Sequence, residues 1–349
     1  MILPQTYNAT LFLMILSMIC WGSWANTYKL AGKWRFELYY FDFAFGLLLA
    51  SVILAYTAGN LGFDGFSFGD DLMHAGKRQW LLGFAGGLVF SLGNMLLLGA
   101  ISVAGMAVSF PIALGLALIV GALLNFTLRP AGNASLLYAG CALVFFAVVA
   151  AAYAYSQRAR IEHEALAKSG KAKSTRRPSN VKAVVLAIIG GLLMGCFFPL
   201  VRMGEAGDAG LGPYAIAVLF AGGVFVSTLI FNLFFMNLPV EGPPLELREY
   251  LLKAGLKHHL LGFAGGAIWC LGAVAAFVAA SAPPEAHVGP ATSYAMAQGA
   301  ALIAVLWGLL LWKEFQGSDL RTKALIAFML VLYAGGLGLV TMAPLFGQQ

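Results

Sequence analysis

A few groups capable of polar chemistry stand in stretches of this chain that otherwise hold almost none. Ser91, Asn94 and Ser109 fall between Trp80 and Leu128, a run without a single Asp, Glu, Lys or Arg. Ser91 and Asn94 are three residues apart, which places their side chains on one face of a helix. Tyr294 and Gln298, four apart, share a later apolar stretch. A primary amide both donates and accepts, so Asn94 and Gln298 suit a urea, an amide or a sugar hydroxyl. Trp21, Trp24 and Trp269 sit near the middle of apolar stretches. An indole offers a broad face and one N–H, which suits a flat heterocycle or the C–H face of a sugar ring. Such groups bind a small neutral polar molecule. Groups that would transform one are missing: no Ser/His/Asp set, carboxylate pair or zinc-ligand spacing occurs in these stretches. Cys20, Cys141, Cys196 and Cys270 also lie in apolar surroundings and read as packing residues, so no metal or other cofactor is implied.

Each binding candidate has a plainer use, because neutral polar side chains also hydrogen-bond between helices in membranes. Asn94 and Gln298 stand out because the residues at equivalent places in the internal repeat described below are not amides. Asn125 and Asn232 fall closer to segment ends, where backbone or lipid headgroups would satisfy them. Charge is rarer still. Asp42 is the only acid well inside an apolar segment. It is either a protonatable group that couples proton entry to solute movement, or the partner of Lys29 at the same depth. Nearness to a helix end favours the pair, because a charge there reaches water cheaply. Arg202 follows Phe197-Phe198-Pro199 and either snorkels to the interface or faces a cavity. Glu314 reads as a structural acid, bonded to neighbouring helix ends or to Arg321. His74, His163, His258, His259 and His287 are all expected in loops, which leaves no buried histidine relay.

The elements that must position these groups follow from composition. The chain of 349 residues is 60% hydrophobic and 10% charged, with a mean hydropathy of +0.84. Soluble domains carry about 25% charged residues. A spanning helix needs roughly 20 mostly apolar residues. Ten such segments are expected, at 9–31, 38–59, 80–101, 104–126, 134–156, 183–204, 213–237, 259–281, 291–313 and 322–343. Trp80 and Trp312 fall at segment ends and read as interface anchors.

The chain also repeats itself. Leu81-Leu82-Gly83-Phe84-Ala85-Gly86-Gly87 recurs as Leu260-Leu261-Gly262-Phe263-Ala264-Gly265-Gly266, and Ser109, Gly115, Ala117, Leu118 and Ile119 recur as Ser293, Gly299, Ala301, Leu302 and Ile303. The expected organisation is therefore a first five-helix repeat over 1–156, a basic linker over 157–182 and a second five-helix repeat over 183–349. Lys and Arg collect in cytoplasmic loops. With the N-terminus outside, the inner connections hold 17 of the 21 basic residues and the outer side 4. Both termini then face outward, the linker is cytoplasmic, and an odd number of spans per half inverts the second repeat. The first segment lacks a cleavage site and reads as a retained helix. The net charge of +6 is explained by this loop bias and does not point to nucleic acid.

With these elements in place the residues resemble a known group. The five-plus-five layout looks like the drug/metabolite transporter superfamily. The first half resembles the ureide permeases, through Met14-Ile15-Leu16-Ser17, Gly22-Ser23-Trp24, Phe41-Asp42-Phe43-Ala44, Ala85-Gly86-Gly87, Ser91-Leu92-Gly93-Asn94 and Leu124-Asn125. The end of the second half is similar to the glucose/ribose porters, through Gly289-Pro290-Ala291-Thr292-Ser293, Gln298-Gly299 and Gly308 to Glu314. The resemblance implies a secondary transporter, and proton coupling with it. Plant ureide permeases resemble this layout but carry a long central loop with a nucleotide-binding motif. The linker here has no GxxxxGK[ST], so no ATP coupling is implied.

The expectation is a multi-pass protein of the inner membrane that moves a small neutral polar solute by alternating access. A site between inverted repeats would hold Trp21, Trp24, Ser91, Asn94, Ser109, Trp269, Tyr294 and Gln298, with Asp42, Lys29 and Arg202 as charge candidates. A ureide or nucleobase is favoured and a monosaccharide is the alternative. A lipid-modifying membrane enzyme lacks its catalytic set, and a channel lacks a ring of pore-lining charge. The expected partners are the small solute, protons and the bilayer, and the sequence leaves the oligomeric state open.

Overall fold

The structure, a computed structural model, describes residues 1–62, 65–128, 132–168, 181–288 and 290–346. Every regular element among them is helical. In hydrocarbon a backbone must satisfy its own N–H and C=O groups, and the helix does so within one segment. The chain forms α1 (Tyr7–Ser23), α2 (Ala25–Leu30), α3 (Phe36–Tyr56), α4 (Phe68–His74) and α5 (Lys77–Ala104). Then come α6 (Met106–Leu128), α7 (Ala134–Lys168), α8 (Val181–Glu205), α9 (Pro213–Asn237) and the short α10 (Leu247–Leu252). Last are α11 (Leu256–Ala280), α12 (Pro290–Leu306), a π-helical turn over Trp307–Leu311, and α13 (Leu320–Met342).

Among the described residues, nine helices are long and apolar enough to cross a membrane. They fall where nine of the ten segments are expected. The remaining one, expected at 291–313, falls on α12 and the π-helical turn that continues it, together 290–311. Helix and apolar segment do not always end together. Residues 157–168, expected as linker, continue α7 to Lys168. That stretch is rich in good helix formers, and Arg160 pairs with Glu164 one turn on at 3.7 Å. The rest of the linker lies mostly outside the described residues.

The chain divides into two compact units that cut across the sequence halves. One comprises Met1–Met95 and Cys196–Ala300, the other Leu96–Gly195 and Ala301–Gln349. In the first unit α3 packs along α11 and α9, and α1 along α11. Glycine permits the closest of these approaches. A Cβ on Gly266 would overlap the carbonyl oxygen of Phe43, and one on Gly46 would overlap that of Phe263, so α3 and α11 meet backbone to backbone. The contact recurs between α5 and α9, where Gly87 meets the carbonyl of Phe220 and Gly223 that of Phe84. Gly87 and Gly266 are the same position of the recurring heptapeptide. Identical residues thus do identical packing work in the two copies.

In the second unit α7 packs on α13 and α6. The chain breaks between α5 and α6 at Gly105, whose φ of +87° only glycine adopts without strain. Glu314 seals the break. Its carboxylate is buried and accepts from the backbone N–H groups of Met106 at 2.9 Å and Ala107 at 2.8 Å. These are orphan donors of the first turn of α6, and the helix dipole there favours an anion. The acid is the structural helix-end partner expected from its position. Glu314→Ala should therefore lower stability by about 3 kcal/mol, the scale of lost charge-assisted hydrogen bonds in a buried site. Thermal unfolding in detergent measures this, and Glu314→Gln, which keeps an acceptor, should lose less.

Candidate functional site

The first unit gathers most of the candidates, in three layers. The aromatic layer centres on Trp269 of α11, which is almost fully buried. Its ring stacks on Phe220 of α9 at 5.5 Å and 8°, and on Trp21 of α1 at 5.7 Å and 26°. Phe90 of α5 closes a third side at 4.2 Å. The Trp21 indole N–H donates to the carbonyl of Trp269 at 3.2 Å, while its ring stays half-buried. Trp24, fully buried between α1 and α2, leans on Phe43 at 5.0 Å. The three tryptophans expected as stacking faces are therefore joined to protein rings, and Trp21 alone keeps part of its surface open.

The polar layer lies next to it, on α3, α5 and α9. The Tyr40 hydroxyl donates to the carbonyl of Ser91 at 3.2 Å and receives the Asn94 amide N–H at 3.4 Å. The Ser91 and Thr228 hydroxyls are 3.4 Å apart, and Thr228 donates onward to Val224 at 2.7 Å. Asn94 and Ser91 thus share a face, as their spacing implies. The layer is not saturated. The Asn94 carbonyl oxygen and both polar atoms of the Asn232 amide are buried with no hydrogen-bond partner among the described residues. Asn232 corrects the expectation of a residue satisfied near a span end, for it is fully buried. Sequence position gives its distance from the end of α9 and says nothing of what covers it.

The third layer is ionic. Asp42 is buried on the second turn of α3. Its carboxylate accepts from the Tyr250 hydroxyl of α10 at 2.6 Å and lies 2.9 Å from Nδ1 of His259. This corrects two expectations. Lys29 is not the partner of Asp42, and His259 is not in a loop, since it stands in the first turn of α11. The apolar pattern begins at Leu260, but the helix starts earlier, at Leu256. Burial, with the Asp42 carboxylate adding to it, pushes the Tyr250 hydroxyl above its ordinary range, so it remains a donor. Nearby, Arg35 forks onto the fully buried Glu37, at 2.6 Å and 3.2 Å.

Other candidates fall elsewhere. Arg202 is exposed, pairs with Glu205 at 3.0 Å and lies 5.4 Å over the Phe198 ring, an arrangement that suits snorkelling to the interface. Gln298 is a half-buried residue of α12 in the first unit. Ser109 is buried on α6 in the second unit, so the first unit does not gather it. The side chains of Tyr294 and Asn125 lie outside the described residues. His74 ends α4 and His163 lies in α7, so neither is in a loop as expected. No group of three or more metal-ligating side chains occurs among the described residues.

A family described as ureide permease matches residues 39–188. Ureide permease 4 of Arabidopsis thaliana is 24% identical over 394 aligned positions, covering 94% of this chain and 95% of its own. Ureide permease 1 of the same plant is 24% identical over 390 positions, covering 95% and 96%. Ureide permease 2 is 23% identical with similar coverage, 95% and 96%. No solved structure is significantly similar. These relatives are permeases, that is, transporters and not enzymes.

Proposed function

We propose that this protein is a secondary transporter that carries a ureide, or a nucleobase of the same hydrogen-bonding pattern, across the cytoplasmic membrane. One observation carries the reading: similarity to ureide permeases along nearly the whole chain, 94% or more of it. The chemistry of the first unit supports it, because an aromatic cluster beside unsaturated neutral amides suits a flat, uncharged, N–H-rich solute. The proposed layout is ten spans in two inverted repeats, with α12 and its π-helical continuation as the ninth. The matching roles of Gly87 and Gly266 support the duplication. Within this layout Asp42, with His259 and Tyr250, is the proposed proton-coupling site.

A thermal-shift screen of the purified protein tests the substrate class. Allantoin, hydantoin or uracil is expected to raise Tm in a saturable manner, as ligand binding to the native state requires. Stabilisation by glucose or ribose alone would move the assignment to sugars. Orientation is tested separately. With both termini outside, an enzyme reporter fused after Gln349 should be active only when it requires the periplasm. Activity confined to a cytoplasmic reporter would reverse the topology while leaving the fold intact.

A further inference from the structure

We propose that Asn232 and Asn94 form an amide-reading subsite that binds the –NH–CO– edge of a ureide or lactam through paired hydrogen bonds. This rests on the transporter reading above and names the residues that would recognise the substrate. Asn232 is fully buried on α9, and neither its amide nitrogen nor its amide oxygen has a partner among the described residues. Asn94 is equally buried on α5, with its oxygen unpartnered and its nitrogen held only by a 3.4 Å contact to Tyr40. A buried amide without hydrogen bonds destabilises the fold, so two in one region call for an occupant.

Helix register brings the two together. Gly87 packs on Phe220 and Val224, Gly223 packs on Phe84 and Leu88, and one turn later Ser91 meets Thr228. Residue numbers rise together along both helices, so α5 and α9 run side by side in the same direction here. Asn94 is three residues past Ser91, and Asn232 is four past Thr228. Both amides therefore project from the next turn, on the faces that carry the Ser91–Thr228 contact. Tyr40 of α3 ties Ser91 and Asn94 to this place.

The free valences select a chemistry. A primary amide presents a donor and an acceptor side by side in one plane. A cyclic ureide presents the complementary pair, N–H beside C=O, so Asn232 can make two parallel hydrogen bonds to it. The Asn94 oxygen is left to accept a second N–H. A sugar hydroxyl would satisfy such an array one point at a time. A site built to pair with N–H groups also rejects analogues that lack them.

The test pairs a substrate change with a protein change. Hydantoin and 1,3-dimethylhydantoin share a ring, but the second has no N–H. Titration of the purified wild type is expected to show at least tenfold tighter binding of hydantoin. Asn232→Leu should bind hydantoin at least tenfold more weakly, lose most of the discrimination between the two, and keep or raise Tm. A packing role alone would leave the discrimination unchanged. Should Asn232→Leu not fold, Asn232→Ser supplies the same comparison with a smaller side chain. Unchanged discrimination in the folded variant would overturn the subsite and leave the transporter reading standing. So would a wild type that binds both compounds equally. A wild type that binds no ureide at all would overturn both.

Discussion

Gly266→Val is expected to yield no monodisperse, folded protein, and Gly87→Val should fail in the same way. At each glycine a Cβ would overlap a backbone carbonyl of the facing helix, Phe43 for Gly266 and Phe220 for Gly87. A side chain facing a flexible neighbour can be accommodated, but backbone cannot turn to a new rotamer. Separating α3 from α11 would also part Gly46 from Phe263, so the whole contact opens. The cost should exceed about 3 kcal/mol, a large share of the 5–15 kcal/mol that holds a typical domain. Gly338→Ala is the control, since nothing lies within 4 Å of a Cβ at that position on α13. Size-exclusion profiles and Tm in detergent should separate the two classes. Native-like behaviour of Gly266→Val would mean that α3 and α11 are not in close contact.

The second large effect concerns coupling. Asp42→Asn should reduce pH-driven solute accumulation at least tenfold, while exchange across equal pH continues. The carboxylate is the shared acceptor for Tyr250 and His259, and an amide keeps the shape of the group but carries no exchangeable charge. His259→Gln should weaken accumulation in the same assay, because it removes the facing titratable ring. Two outcomes would assign the site a structural role: accumulation that persists in Asp42→Asn at normal expression, or a drop in Tm with transport intact.

The sequence made the parts of the fold that depend on composition visible, and left hidden the parts that depend on distant contacts. The spans stood out because hydrocarbon thickness imposes an apolar length, and α9 begins and ends at the residues that this length implied. The recurring glycines were visible as a motif, and their use at α3–α11 and α5–α9 follows from small size alone. Glu314 was legible because an acid beside a helix end has few other uses. The partner of Asp42 was not: His259 is 217 residues away and stands at the very edge of its apolar segment. Counting apolar residues puts that histidine in a loop, whereas the helix begins three residues before it. The burial of Asn232 is hidden for a related reason, since depth along a helix does not report lateral cover. The division into compact units was also out of reach, because each unit draws on both halves of the chain.

Solute counterflow tests the central claim most directly. Proteoliposomes holding the purified protein are loaded with unlabelled allantoin and diluted into a trace of labelled allantoin at equal pH on both sides. A carrier exchanges inner for outer solute, so the label should rise transiently well above its equilibrium level and then decay. Unlabelled hydantoin or uracil outside should suppress the rise, and glucose should not. Entry of label that never exceeds equilibrium, does not saturate, or is the same in protein-free liposomes would contradict a ureide carrier.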